Sequence, residues 1–202
     1  MNFRLFVLST IAISIFLTFE SSALSKTESE CLEAIEAGNS LIKQSPDDFR
    51  GYASRGCGYE YLKKFDLAER DILKALTLSP GSAGLYNHLA TIYFETGRYK
   101  EAANASRKSI ELGNRSIEAY RACLANLTAA KQSQECLSLT GEALKRFPDD
   151  GVLYYFRAIS ALDLGSASRE EILSDFKKAL LLRPNDLQIR KEYDLYRLGH
   201  RP

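Results

Sequence analysis

From Phe49 onward, apolar and polar positions alternate with a helical period, and the alternation breaks at regular intervals. Tyr52, Gly56 and Tyr59 share one face of a first helix, offering an aromatic, a small residue and an aromatic. Ala68, Ile72 and Ala75 follow on a second helix as small, large, small, and Pro80 closes the stretch. Pro46 and Pro80 are 34 residues apart, Pro80 and Pro148 are 68 apart, twice that, with Asn114 at the midpoint, and Pro148 and Pro184 are 36 apart. Around these prolines the chain reads SPDD at 45–48, SPGS at 79–82, FPDD at 147–150 and RPND at 183–186. Proline stops a helix, and the Asp or Ser after it accepts a hydrogen bond from a free backbone N–H of the next. Each motif therefore ends one helical pair and starts another, giving pairs over 47–80, 81–114, 115–148 and 149–184.

In period and residue types the first pair resembles the tetratricopeptide repeat, whose seven signature places are all met by Tyr52, Gly56, Tyr59, Ala68, Ile72, Ala75 and Pro80 if Tyr is allowed for Trp. The second pair keeps Tyr86, Ala90, Tyr93 and Ala102 but departs at Ser106, Ser109 and Asn114, which predicts a looser second helix. The third keeps Tyr120, Ala143 and Pro148 and places Leu124 and Cys136 where small residues are usual. The fourth keeps Tyr154, Ala158, Phe176, Ala179 and Pro184, with Ile172 replacing a small residue and its two extra residues assigned to LGSASREE, where Ser168 and Glu171 form a capping box. Before the pairs, Ala34, Leu41 and Pro46 match half a repeat, so the domain opens with a lone helix from Thr27 to Gln44 capped by Thr27 and Glu30. After Pro184 a capping helix covers the last pair with Leu187, Tyr193 and Leu195, while Arg190, Lys191 and Glu192 face water. The resemblance implies an all-α, right-handed superhelix of antiparallel helix pairs, a TPR-like α-solenoid, over residues 24–202.

The N-terminus differs in kind. Arg4 is followed by an uncharged run from Leu5 to Phe19 and then by small polar residues, the layout of a secretory signal, with cleavage expected between Ala23 and Leu24. The run falls short of the roughly 20 residues a bilayer-spanning helix needs. An uncleaved membrane anchor is the alternative, and a membrane contact is expected only in that case. A cleaved signal places the domain outside the cytoplasm, secreted or periplasmic.

Composition adds two bounds. A hydrophobic share of 45% supports a real core, and 27 basic against 26 acidic residues leaves no field toward nucleic acid. Export also exposes Cys31, Cys57, Cys123 and Cys136 to an oxidising compartment. Four cysteines allow three pairings. Cys123 and Cys136 lie on the two helices of the third pair, near their closest crossing, and Cys31 with Cys57 would then tie the opening helix to the first pair. Four reduced, buried thiols are the alternative. No metal is expected, because no CxxC pair occurs and only His88 and His200 could join the cysteines.

No catalytic residue set is recognisable, so the chain reads as a non-enzyme without cofactor or small-molecule substrate. His88 has no Ser, Cys or carboxylate partner at a familiar spacing, and RGCGYE at 55–60 lacks the strand and pattern of a phosphate loop. Tyr52, Tyr59, Tyr86, Tyr93, Tyr120 and Tyr154 occupy packing places rather than a base-stacking surface. Asn104, Asn114 and Asn126 head glycosylation sequons, the second in a turn and the others inside helices.

The resemblance implies a concave groove lined by the first helix of each pair, which holds an extended peptide or partner segment. In this register Asn87, Thr91, Phe94, Arg121, Tyr155 and Ile159 line it. At the places where family members clamp acidic chaperone tails, this chain has Ala53, Cys57, His88, Glu118 and Ala122, so that activity is not expected. The leading function is an exported adaptor for a protein or peptide. The alternatives are a structural assembly factor docking by its convex face into an envelope or secretion complex, and, from Cys57, a thiol oxidoreductase.

Overall fold

The computed structural model describes residues 27–199, and the signal segment expected at 1–23 lies outside them, as does His200. All regular structure among the described residues is helical: α1 Glu28–Gln44, α2 Phe49–Tyr61, α3 Phe65–Leu78, α4 Ala83–Glu95, α5 Tyr99–Glu111, α6 Ile117–Ala129, α7 Ser133–Arg146, α8 Gly151–Leu164, α9 Arg169–Leu182 and α10 Leu187–Arg197. None of these helices is long and apolar enough to cross a membrane. They form two compact units, one ending at Arg115 and one beginning at Ser116.

Helix ends follow from short local sequences. Asp48, Ser82, Asp150 and Asp186, each just after a proline, accept backbone N–H bonds from the first turns of α2, α4, α8 and α10, and Ser116 does the same for α6. Thr27 with Glu30, and Ser168 with Glu171, close reciprocal capping boxes on α1 and α9. Inside three of the pairs the turn is repeated in detail. Lys63, Gly97 and Lys131 all adopt left-handed backbone, with φ of 56°, 76° and 59°. The next N–H in each case bonds back to Tyr59, Tyr93 or Leu127, satisfying carbonyls at the helix end.

In the first unit the core is built from Ala68, Ile72, Ala75, Leu85, Leu89 and Ala90, with Tyr52, Tyr59, Tyr86 and Tyr93 packed against it, as their spacing predicts. Gly56 lies at the α2–α3 crossing, where a Cβ would come within 2.9 Å of the Ile72 side chain. Gly38 is tighter still: a Cβ there would lie 2.7 Å from the Gly51 carbonyl of α2. Arg55 on α2 forks onto Asp71 on α3 through Nε–Oδ2 at 2.6 Å and Nη2–Oδ1 at 3.0 Å. α5 is not the loose helix expected from its serines. Ser106 and Ser109 are fully buried, and their hydroxyls donate to the carbonyls of Ala102 and Ala83, so each packs as a small residue with its polar group satisfied.

In the second unit Tyr155, Phe156 and Phe176 are buried, with Tyr155 meeting the other two edge-to-face at 5.6 and 6.2 Å. The larger Leu124, Cys136 and Ile172 are all accommodated inside. Arg157 and Asp175 repeat the Arg55–Asp71 fork, at 2.7 and 2.5 Å. The face of α10 differs from the expected one. Ile189, Glu192 and Tyr196 turn inward, with Glu192 0% exposed, whereas Leu187 is 79% exposed. Phe176 draws the Tyr196 ring to 6.2 Å, and Gln188 donates to the Glu192 carboxylate, so the helix is rotated from the most apolar choice.

The four cysteines stand as thiols, so neither the Cys31–Cys57 nor the Cys123–Cys136 bridge is formed. Cys31 backs onto Gly58, whose Cβ would lie 2.8 Å from its carbonyl, while the neighbouring Cys57 side chain is hydrogen-bonded to His88 on α4. Cys136 Sγ lies 3.6 Å from Thr128 Oγ1 and 3.8 Å from the Leu124 carbonyl, and burial pushes its thiol pKa up.

Gly38→Ala should destabilise by about 1–3 kcal/mol through overpacking. Gly141→Ala, inside α7 with nothing within 4 Å, should stabilise by about 0.5–1 kcal/mol. Urea unfolding midpoints of the two variants moving in opposite directions would establish the close α1–α2 approach; movement in the same direction would refute it.

Candidate binding face

The first helices of successive pairs, α2 and α4 in one unit and α6 and α8 in the other, carry the residues singled out by the sequence. Their fates differ. In the first unit Asn87 is exposed on α4 and Thr91, one turn on, is half-buried, its hydroxyl donating to the Asn87 carbonyl at 3.2 Å. Tyr61 at the end of α2 is 49% exposed. Phe94 does not line an open surface. It is 6% exposed and packs edge-to-face on Tyr99 of α5 at 5.4 Å, because at the end of α4 its ring falls between the two helices of its own pair.

In the second unit two further expectations are corrected. Tyr155 and Ile159 are 0% and 4% exposed. The run VLYYFRAISA makes α8 apolar on nearly every side, and such a helix is packed all round rather than on one face. Arg121 is half-buried and ion-paired with Asp150, the residue that caps α8 by accepting from the N–H groups of Val152 and Leu153. Of the sequons, Asn104 is exposed on α5, Asn114 donates to the Ser109 hydroxyl from its turn, and Asn126 is buried.

The largest departure from expectation concerns His88. Cys57 and Glu60 stand one turn apart on α2 and so share a face. His88 on α4 meets both. Its Nδ1 donates to Glu60 Oε2 at 2.6 Å, and the same ring is hydrogen-bonded to the Cys57 thiol. The carboxylate is mostly buried and the ring about one-third exposed. Burial works against the charged ring, but the bonds to Cys57 and Glu60 outweigh it and raise the His88 pKa to about 10. Sequence spacing concealed this because the partners are 28 and 31 positions away on another helix. The one available signal was that positions 57 and 88 both fall at inward-facing places of the repeat. Among the described residues no group of three or more His, Cys, Asp and Glu is placed to hold a metal ion.

The paired helices, repeated turns and small-residue crossings define a helical-repeat protein. Residues 83–112, the α4–α5 pair, match the tetratricopeptide repeat family model. It is 26% identical over 185 residues, 87% of its length, to the tetratricopeptide repeat and J domain-containing co-chaperone DNJ1 of Fusarium oxysporum f. sp. lycopersici. It is 26% identical over 134 residues, 66% of its length, to the human protein O-mannosyl-transferase TMTC1. The chain spans only 34% and 15% of these relatives. Among solved structures, YrrB, described as a TPR protein with an unusual peptide-binding site, aligns with a TM-score of 0.73 at 18% identity, covering 83% of this chain and 85% of its own. MamA aligns with a TM-score of 0.67 at 19% identity, covering 88% and 92%. At these identities the structural likeness speaks for the fold alone.

Because the His88 pKa is raised on folding, the Glu60–His88 pair stabilises fully below the unfolded value of about 6.5, and that contribution is lost as pH rises through about 10. Glu60→Gln should therefore cost about 1–2 kcal/mol at mildly acidic pH and progressively less toward pH about 10. Denaturant unfolding across that range, with the His88 ring titration followed by NMR, measures both; a pH-independent cost would contradict the pairing.

Proposed function

We propose that this protein is an exported adaptor that binds a peptide or extended segment of a partner protein on the α2–α4 face. The observation that carries the reading is the exposed Asn87 amide beside Thr91 on α4, with the Tyr61 ring open on the neighbouring first helix. A side-chain amide can both donate to and accept from an extended backbone, and a tyrosine supplies contact area at low entropic cost. The buried Phe94, Tyr155 and Ile159 would then act behind the surface, holding the helices that present it. The peptide-binding site attributed to YrrB and the co-chaperone character of DNJ1 are consistent with such a role. Export rests on the N-terminal layout of Arg4, the uncharged run to Phe19 and the small residues near Ala23.

A peptide selected from a random library against the purified domain should lose about tenfold in affinity, measured by fluorescence anisotropy, when Asn87 and Thr91 are both replaced by Ala, a loss of about 1.4 kcal/mol. Undiminished binding by that double variant, with loss on substituting exposed residues of α3 and α5, would place the contact on the outer helices and refute the reading. N-terminal sequencing of the chain recovered from its native host should begin at Leu24 if the leader is removed.

A further inference from the structure

Cys57, His88 and Glu60 form a connected set of thiol, imidazole and carboxylate that protein binding on this face does not use. Cys57 differs from the other three cysteines. Cys31, Cys123 and Cys136 are buried, whereas Cys57 is partly open to solvent. Among the described residues it alone of the four is hydrogen-bonded to a histidine, and that ring is fixed in direction by the 2.6 Å bond from Nδ1 to Glu60. A partly exposed thiol beside a protonated imidazole that a carboxylate holds in place is an arrangement that favours a nucleophilic sulfur. Two residues one turn apart on α2 meet one residue of α4, so the set depends on the packing of these first helices and exists only in the folded protein.

We propose that Cys57 is a reactive thiol site that exchanges with small organic disulfides to form a reversible mixed disulfide on the α2–α4 face. The thiol proton is released to solvent while the His88 cation, held by Glu60, stabilises the charge left on sulfur, and the Cys57 sulfur attacks one sulfur of the disulfide. The disulfide S–S bond breaks as the Cys57 S–S bond forms. The departing thiolate takes up a proton from solvent and leaves as a free thiol. No net redox change occurs, and excess thiol reverses the step along the same path. Cys57 stands beside Tyr61 on α2, so the added group sits next to the surface proposed for partner binding and would compete with it.

The test uses the intact folded chain and a pyridyl disulfide, whose released thiopyridone is chromogenic. One thiol per chain should react in a fast phase, identified as Cys57 by peptide mapping and absent in Cys57→Ser. His88→Gln, checked by its melting curve to be folded at the assay temperature, should slow that phase by about tenfold. Glu60→Gln, which keeps the ring but removes its charged anchor, should slow it by a smaller factor and serves as the second variant if His88→Gln does not fold. Oxidised glutathione should yield a mixed disulfide at the same residue, removed by dithiothreitol. A Cys57 rate equal to that of the urea-unfolded chain, or an unchanged rate in folded His88→Gln or Glu60→Gln, would overturn the proposal.

Discussion

Helix pairs in this protein can only form because backbones come close where a side chain is missing or small. At Gly38 the approach is to backbone itself, and at Gly56 to the Ile72 side chain. Ala68, Ala75, Ala102, Ala143, Ala158 and Ala179, all wholly buried, serve the same purpose at later crossings. Once the axes are close, the tyrosines of the first helices have gaps of the right depth to fill, and burying apolar surface contributes roughly 25 cal/mol per Å². Interiors pack too densely for an extra methyl at such a point to be absorbed without strain. The turns, caps and polar faces described above all presuppose this approach.

Buried charge then fixes how the closely packed helices sit. Arg55–Asp71 and Arg157–Asp175 are the same fork at the same places of the first and fourth pairs, 16 and 18 positions apart because of the two added residues in the latter. Burying such a pair costs desolvation that its attraction barely offsets, so its clearest effect is on register: the bidentate geometry is met at one rotation of each helix only. Arg121 on Asp150 and the inward Glu192 act in the same sense, tying a cap and a terminal helix to their neighbours.

The polar face inherits its positions from the repeat and its chemistry from individual residues. Cys57 and His88 stand together on this face, and Glu60 supplies the negative charge from within. The result is a cationic ring already neutralised by its own carboxylate. Such a face has little to offer an acidic tail and more to offer a neutral segment or a sulfur electrophile.

The 34-residue spacing, the proline and Asp or Ser punctuation and the two capping boxes were legible in the chain because they depend on local geometry, which a helix imposes within one or two turns. Asn87 and Thr91 stand on an accessible helix face, where the register puts them, and Arg121 is partly open. Phe94, Tyr155, Ile159 and Glu192 were misassigned to the surface, since whether an inward-leaning residue is covered depends on the helix that arrives beside it. Neither the Arg–Asp forks nor the His88 cluster has a sequence signature, because each joins residues on different helices whose separation along the chain carries no chemical meaning. What the sequence by itself determined is where helices begin, end and pair; the tertiary structure decided which side chains meet, since burial and charge pairing are properties of neighbours in space.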